Sequence, residues 1–444
     1  MSVKSPGISR SQLHLILISV GIYIIPSMSL LNLVHNVRRR AFSMVTKDSL
    51  KIGQELSLSI HDLTNLGLGV GRKELSDGSN WIIMVPLVLP GEEVMVRIGK
   101  NNSSYSEAEL VRVIKPSPDR VIPKCTYFSI CGGCQYQHMS YDSQKKWKHN
   151  QVKTALERIG RIEHPVVNPI VAPADPYGYR SKLTPAYEEV VTTENIKELK
   201  IGFKMRATHH VVDVDRCAIA SDRVNEGFAS MRQMLQNDGE RDRNKKNKKL
   251  KNNRTFIGSS SNNGRNHNGI HRSKNKTLLL RDNGEGLVET DGNNPVSVTV
   301  NGIKFQQRAK DFFQSNAQAV PYLVDHVITH AVGDDCHHLV DTYCGCGLFA
   351  LCSASRFKSV HGIEISTHAA SAAANNAAIN NITNAHFTSG KAENIFKTIS
   401  KDNNMKYPSA NTVVVVDPPR AGCDRVFLDQ LLEYRPKKIV YVSC

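Results

Sequence analysis

Residues 338–347 read HLVDTYCGCG, and this stretch decides the fold of the C-terminal part of the chain. A strand-like run at residues 338–343 leads directly into a turn that contains Gly345 and Gly347. Glycines in such a turn let a ligand approach the backbone where the next helix begins. Glu364 follows at the end of the next predicted strand, where a carboxylate can hold ribose hydroxyls. The alternative is a plain tight turn, with Glu364 as an acid at the start of a helix.

Strand and helix patterns alternate around this turn from Ala309 onward. We predict helices at residues 309–331, 348–356, 367–379, 391–400 and 424–434, and strands at residues 338–343, 359–363, 385–388, 412–416 and 438–442. Five β–α repeats predict an α/β fold with a doubly wound parallel sheet. Asp417 and two prolines follow the fourth strand, so they stiffen a loop at the edge where such sheets bind ligands.

The N-terminal half predicts two further units. Residues 48–115 contain five short strand-like runs, with glycines at alternate positions 67, 69 and 71, which predicts a small OB-like barrel. Residues 116–236 and 277–305 combine a helix near 143–159 with mixed strands and a cysteine cluster, which predicts a central α+β domain.

Two segments hold the excess positive charge. The chain has 57 Lys and Arg against 41 Asp and Glu, a formal net charge of +16. Residues 1–47 contain six Lys or Arg and no acid, and residues 241–276 contain twelve and one acid. The remainder is close to neutral, so net charge alone does not establish nucleic-acid binding. Residues 237–276 are rich in Asn, Lys, Arg and Ser, which predicts a disordered basic insert.

Residues 1–47 resemble a targeting segment. The apolar run at residues 15–25 is too short for a membrane-spanning helix, which needs about 20 residues. Arg38 to Arg40 follow, with no acid before Asp48, as in transit peptides of a mitochondrion or plastid. A secretory signal or an unstructured leader on a cytoplasmic or nuclear protein is the alternative. We expect a monomer without stable membrane insertion.

The ten cysteines include one cluster with the spacing of metal ligands. Cys125, Cys131 and Cys134 lie around the Gly132–Gly133 turn, and Cys217 can supply a fourth thiolate. Four cysteines suit either a [4Fe–4S] cluster or structural zinc. The cysteines of the α/β part lack such spacing, and we interpret most of them as small core residues.

Four ordered motifs carry a resemblance to a known family. Residues 341–347 read DTYCGCG, residues 312–316 read FFQSN, residues 417–422 read DPPRAG, and residues 441–444 read YVSC. Together they resemble the RNA uracil-C5 methyltransferases that depend on S-adenosylmethionine (SAM). Residues 48–115 resemble the TRAM domain, the RNA-binding barrel of that family. Residues 117–138 resemble the iron–sulfur segment of its bacterial 23S rRNA and tRNA m5U members.

The resemblance implies a class I, Rossmann-like SAM methyltransferase domain at residues 306–444 and RNA, either tRNA or rRNA, as partner. It implies SAM contacts at Gln314, Tyr343, Glu364 and Asp417, and it favours [4Fe–4S] over zinc at the four cysteines. It also places the catalytic nucleophile at Cys444. A buried thiol at the end of a strand is the alternative interpretation of Cys444.

The implied chemistry explains why a cysteine is needed. Uracil C5 is a poor nucleophile, and addition of a thiolate to C6 makes an enolate whose C5 can attack a methyl group. A base then removes the C5 proton, and the uracil must first leave its stack. The family's Asn-Pro and carboxylate base would follow Cys444. We therefore expect a truncated sequence with an incomplete sheet, an exposed edge at strand 438–442 and little turnover.

Other functions remain open on the sequence alone. The chain could be a non-catalytic RNA-binding iron–sulfur protein, or an inactive fragment of the methyltransferase. It could also be a SAM enzyme that acts on protein or DNA, because the sheet by itself does not select a substrate. The barrel and the cysteine cluster argue against this last alternative.

Overall fold

The computed structural model describes residues 15–19, 50–191, 197–252, 276–396 and 407–443. The helices are α1 (Tyr141–Thr154), α2 (Asp222–Asn252), α3 (Val320–Ala331), α4 (Leu348–Ser353), α5 (Thr367–Ile379) and α6 (Arg425–Tyr434). The strands are β1 (Leu15–Ser19), β2 (Glu55–Leu63), β3 (Leu68–Glu74), β4 (Asn80–Pro86), β5 (Glu93–Asn101), β6 (Tyr105–Lys115), β7 (Lys182–Leu183), β8 (Ala186–Val191), β9 (Lys197–Lys204), β10 (Val211–Asp213), β11 (Lys276–Thr277), β12 (Leu280–Asp282), β13 (Val288–Glu289), β14 (Pro295–Val300), β15 (Ile303–Arg308), β16 (His338–Asp341), β17 (Ser359–Glu364), β18 (Ala385–Ser389), β19 (Thr412–Val416) and β20 (Lys438–Ser443).

Strands β2 to β6 close the small barrel that the sequence predicts, in the order β2-β3-β4-β6-β5. Alternate residues of these strands face the interior, where Leu58 and Val85 are buried. The alternate glycines have a steric reason. A Cβ added at Gly69 would lie 2.2 Å from the Val88 side chain, and one at Gly71 would lie 2.5 Å from Leu58. Larger residues at these positions would therefore displace the barrel core.

A buried ion pair joins the barrel to the segment that follows it. The Glu92 side chain is fully buried and pairs with the Arg120 guanidinium. It also accepts hydrogen bonds from the backbone N–H groups of Leu89 and Ser117. Burial alone would raise the pKa of Glu92, but these donors hold it below the ordinary value. Each oxygen of the Glu92 carboxylate therefore accepts a hydrogen bond from a backbone N–H and another from Arg120.

The central unit consists of two small sheets against helix α2. One sheet has the order β10-β9-β8-β11, and the other has the order β13-β12-β7. Phe228 on α2 is buried in their shared core with Ile201 and Leu280. Strand β11 joins the same sheet as β10, although some sixty residues lie between the two strands along the chain.

Helix α2 differs from the prediction of disorder over residues 237–276. It continues to Asn252, so residues 237–252 are helical, while residues 253–275 lie outside the described residues. Packing of Phe228 nucleates the helix, and each further turn then costs little because nucleation is the unfavourable step. Lys and Arg, which make up seven of residues 237–252, are also good helix formers.

The C-terminal unit is the predicted doubly wound sheet. Its strand order is β1-β20-β19-β16-β17-β18, and every neighbouring pair is parallel. All five residues of β19 are buried, as expected for a central parallel strand. The hairpin β14–β15 also packs here, because Phe305 lies in the same core as Val324 and Leu339. Residues 295–305 thus belong to this unit and not to the central domain, where the prediction placed them.

Two other elements differ from prediction, and a third is described only in part. Helix α3 begins at Val320, not at residue 309, because the backbone of residues 309–311 is bonded to the central unit. Of the helix predicted at 391–400, Ala392–Asn394 form a 3₁₀ turn and residues 395–396 are α-helical, while residues 397–406 lie outside the described residues. Strand β1 pairs with β20, so the edge expected to be exposed is covered by part of the predicted leader. The targeting role of residues 1–47 stays a prediction.

Within the described ranges, no helix combines the length and the apolar character that crossing a bilayer requires.

The Glu92–Arg120 pair yields a stability prediction. Arg120→Met should lower the free energy of unfolding by about 3 kcal/mol, because Glu92 would keep a buried charge without a cation. Arg97→Met is the matched control, since the Arg97–Glu55 pair of the same barrel is about half exposed, and it should cost less than about 1 kcal/mol. Urea unfolding measures both variants. Equal losses would contradict the role assigned to the buried pair.

Candidate active site

The glycine turn between β16 and α4 forms the floor of the site. Gly345 and Gly347 both have positive φ angles, 55° and 92°, which favour glycine. Gly347 is the residue that precedes α4, and its N–H bonds to the carbonyl of Cys344. The turn thus brings the backbone of Gly345 and Cys346 to the wall of a cavity, where the next helix begins.

Glu364 connects this turn to the next strand and helix. One carboxylate oxygen accepts from the backbone N–H of Gly345 at 3.0 Å, and the other accepts from Ser366 at 2.8 Å. The side chain of Ser366 in turn caps α5. Glu364 therefore holds the turn in place, and its remaining lone pairs can still accept hydrogen bonds from a ligand.

Two further acids end the neighbouring strands β16 and β19. Asp341 is fully buried, and burial together with the charge of Asp417 raises its pKa to about 8. No donor in the described part of the chain makes a normal hydrogen bond to it, and the backbone N–H groups of Tyr343 and Ala350 offset the rise only in part. Burial also raises the pKa of Asp417 to about 7. Near neutral pH both acids thus carry a proton for part of the time.

A cysteine and two tyrosines connect the Asp417 loop to its neighbours. The Cys423 thiol is hydrogen-bonded to Tyr343 of the glycine turn and to Tyr441 of β20. Burial raises the pKa of Cys423, and burial beside this thiol raises the pKa of Tyr441 to about 12. These contacts fix the Asp417 loop relative to the glycine turn and to β20.

The loop that carries Gln314 is held by cations of the central unit. Lys182 donates to the carbonyls of Lys310 and Asp311, and Arg281 donates to those of Ala309 and Asp311. Bonds of this kind replace the first helical turns that the sequence predicts there. They leave Gln314 in a loop without regular structure, at the wall of the cavity.

One cavity of about 1880 Å³ brings the predicted contact residues together. Gln314, Tyr343, Glu364 and Asp417 all line it. Its opposite wall comes from α1 and from residues 162–180 of the central unit. Sites for small ligands usually enclose about 300–1,000 Å³, so this cavity has room for more than a small cofactor. The predicted nucleophile, Cys444, lies outside the described residues, directly after β20.

The four cysteines predicted as metal ligands lie in the central unit as half-buried free thiols. Burial raises the pKa of Cys134 to about 11, and the charges of Cys217, Cys131 and Cys125 raise it as well, so the four groups are neighbours. Among the described residues, no group of three or more Cys, His, Asp or Glu side chains has the geometry of a metal site. Cys134 also lines the cavity.

Sequence reasoning missed several residues of the site. Asp341 was quoted only as part of the glycine motif, although its burial beside Asp417 makes it the most perturbed acid there. Lys182 and Arg281 carry no local signal, because their partners on the Gln314 loop are far away along the chain. Cys423 carries no local signal either, because its two tyrosine partners come from the glycine turn and from β20.

Comparison with known proteins agrees with this geometry. The profile of the tRNA (Uracil-5-)-methyltransferase family matches residues 262–444. A Schizosaccharomyces pombe tRNA (uracil(54)-C(5))-methyltransferase is 33% identical over 88% of this chain and 70% of its own. An uncharacterized RNA methyltransferase of Listeria innocua is 31% identical over 89% of both chains.

A solved structure shares the fold. The Pyrococcus abyssi tRNA (uracil-54, C5)-methyltransferase, crystallised with S-adenosyl-L-homocysteine, superposes with a TM-score of 0.57 at 21% identity. The superposition covers 87% of this chain and 89% of the archaeal one.

The buried Asp341 predicts a pH dependence of stability. Its folded pKa of about 8 exceeds the ordinary 3.8, so the folded state keeps a proton that the unfolded chain releases. The contribution of Asp341 to the free energy of unfolding should therefore be fully present below about pH 4. It should fall toward pH 8, by at most about 1.4 kcal/mol per pH unit. In Asp341→Asn the decline should become smaller, and only the part that Asp417 contributes up to about pH 7 should remain. Asp334→Asn, an exposed change before the same strand, is the control. Parallel curves for wild type and Asp341→Asn in urea unfolding from pH 5 to pH 8.5 would refute the assignment.

Proposed function

Because this chain belongs to the SAM-dependent RNA uracil-C5 methyltransferase family, we propose that it transfers a methyl group from SAM to uracil C5 in RNA. The observation that carries the proposal is the convergence of Gln314, Tyr343, Glu364 and Asp417 on one cavity. The name of the fission yeast relative makes uracil 54 of tRNA the first substrate to test. A uridine of rRNA is the second.

The cavity floor is suited to the charge of the donor. SAM supplies an electrophilic methyl group on a positively charged sulfonium. Glu364 accepts two hydrogen bonds from backbone N–H groups. Its other lone pairs can accept hydrogen bonds from the ribose hydroxyls of the donor. Asp417 directly follows β19 on the same floor, where burial raises its pKa to about 7. A sulfonium bound beside it would favour the ionised carboxylate and lower that pKa. Gln314 lines the same cavity, on a loop whose backbone the central unit holds through hydrogen bonds.

The nucleophile that we propose is the thiolate of Cys444, which adds to uracil C6. It follows β20, whose Tyr441 is bonded to Cys423 and interacts electrostatically with Asp417. The end of β20 is thereby kept beside the Asp417 loop.

A substrate with 5-fluorouracil tests the covalent step. Fluorine at C5 cannot be removed as a proton, so the adduct of enzyme and RNA should persist through denaturing electrophoresis when SAM is present. Cys444→Ala should abolish the adduct and methylation while SAM binding stays within about twofold, since the proposed SAM contacts lie on other loops. Cys423→Ala is the matched control and should keep the adduct.

Three results, from this experiment and from methylation and RNA-binding assays, would count against the proposal. If only Cys423→Ala loses the adduct, the nucleophile is Cys423 and our assignment to Cys444 is wrong. Equal methylation of a tRNA transcript with cytidine at position 54 would exclude that uridine as the target. RNA binding by the wild-type chain with no methylation of tRNA or rRNA would favour the non-catalytic alternative.

We also propose that Cys125, Cys131, Cys134 and Cys217 hold a [4Fe–4S] cluster. The donor set supports it, because four neighbouring thiols without disulfides are a ligand set for iron–sulfur clusters. Cys131 lies in a turn whose Gly132 N–H bonds to the Lys204 carbonyl, which ties that turn to β9. A cluster would add a covalent connection from this turn to the segment after β10. Structural zinc is the alternative for the same ligands.

Metal content distinguishes the two. Protein purified without oxygen should contain about four irons per chain and absorb visible light. Cys131→Ser should lose most of the iron and the absorbance, whereas Cys352→Ser, a thiol on α4, should retain both. Zinc without iron or sulfide in the wild-type protein would overturn the iron–sulfur assignment.

A further inference from the structure

We propose that a wall of the cavity, formed by Tyr136, Tyr141, Lys145 and Lys148, binds the single-stranded RNA that flanks the target uridine. We call these four residues the α1 wall. The inference rests on the proposed function, since it concerns the RNA substrate of the same cavity. It adds a specific path for the strand beyond the reacting base.

The size and continuity of the cavity are the first observation. It extends without a break from Asp417 at the carboxyl edge of the sheet to Lys148 on α1. Its volume of about 1880 Å³ exceeds the roughly 300–1,000 Å³ of a small-molecule site. The part on the side of α1 therefore has room for nucleotides next to the base that reacts.

The second observation is the pairing of lysine with tyrosine along α1. The Lys145 ammonium lies 5.2 Å from the centre of the Tyr141 ring, and the Lys148 ammonium lies 5.9 Å from that of Tyr136. Both distances suit cation–π contacts. Single-stranded nucleic acid is bound by this combination, in which bases stack on aromatic faces and cations contact the phosphates.

The rings are fixed before any ligand arrives. The Tyr141 hydroxyl donates to the Pro173 carbonyl at 2.9 Å, and the Tyr136 hydroxyl donates to the Asn65 carbonyl of the barrel at 3.2 Å. Gln144 donates to the carbonyl of Tyr136 at 3.1 Å. Since both side chains are already held, stacking of a base on them costs less ordering entropy.

Charge is distributed unequally over the cavity. The central unit contributes three cations to the lining, Lys145, Lys148 and Arg180, against one acid, Asp175. The C-terminal unit contributes two cations and five acids, namely Lys391, Arg420, Asp311, Asp325, Glu364, Glu393 and Asp417. A phosphate backbone is therefore attracted to the α1 side, and the acidic floor is left to a cationic cofactor.

Lys145 also has a competing partner. Its ammonium lies 2.7 Å from Asp142, whose carboxylate is mostly exposed. Exposed pairs of this kind contribute little energy, so a phosphate can replace the carboxylate. A single strand is the occupant that fits, because a uridine that reacts at C5 must already be out of its stack.

Binding of an RNA oligonucleotide to the full-length chain tests the α1 wall, with fluorescence anisotropy as the measurement. Lys145→Ala with Lys148→Ala should reduce the slope of log affinity against log salt by about 0.7 per lysine. Tyr141→Leu should weaken binding at least about fivefold, because a stacking face is lost. Tyr141→Phe keeps the ring and should bind within twofold of wild type.

Lys146→Ala is the matched charge control. Lys146 lies on the same helix, is exposed and does not line the cavity, so its loss should leave the salt slope unchanged. SAM affinity, measured in parallel, should be equal in all variants and reports that each one is folded. In methylation assays the wall variants should raise KM for RNA more than they lower kcat.

The inference and the proposed function fail in different ways. A wild-type chain that binds RNA through the wall but methylates nothing would overturn the function alone. The claim that the α1 wall binds RNA would be wrong if two results occurred together. The double lysine variant would keep the wild-type salt slope, and Tyr141→Leu would bind RNA as tightly as wild type. Equal losses for duplex and single-stranded RNA would also overturn it, since stacking needs an open strand.

Discussion

The parallel register of β16, β17 and β19 is the constraint on which the site depends. Asp341 pairs with Gly362 on one side and with Val415 on the other, so the three strands end at one edge. The acids Asp341, Glu364 and Asp417 are thereby crowded into a small space. Burial raises the pKa of both Asp341 and Asp417, and the charges of Asp417 and Glu364 raise that of Asp341 further. A cationic ligand at this edge would relieve the repulsion at Asp341, which is why the edge suits the positively charged donor that we propose.

The C-terminal unit does not complete this site by itself. Lys182 and Arg281 of the central unit hold the backbone of the loop that presents Gln314. Asn316, just beyond, bridges to Arg180. The two units are thus coupled through backbone carbonyls, which are insensitive to the identity of the loop side chains. Among the described residues that follow α2, β11 pairs with β8 and closes that edge of the central sheet.

The barrel is coupled to the same cavity through a few polar contacts. Gln151 of α1 donates to the Thr64 carbonyl, and Tyr136 donates to the carbonyl of Asn65. Glu92 and Arg120 fix the direction in which the chain leaves the barrel. An RNA strand that follows α1 away from the reacting base would therefore meet the turn between β2 and β3. In this arrangement one helix connects the barrel with the site of methyl transfer.

Local sequence patterns determined much of this protein. The β–α alternation, the glycine turn with Glu364 and the five barrel strands were predictable, because each is written in residues that are near one another. The four predicted SAM-contact residues line one cavity, although their roles and that of Cys444 stay predictions. Tertiary structure decided where α3 begins, against which unit the β14–β15 hairpin packs, and that Asp341 is buried. These depend on contacts between distant segments, and the energy of such contacts leaves no periodic signal in either segment alone.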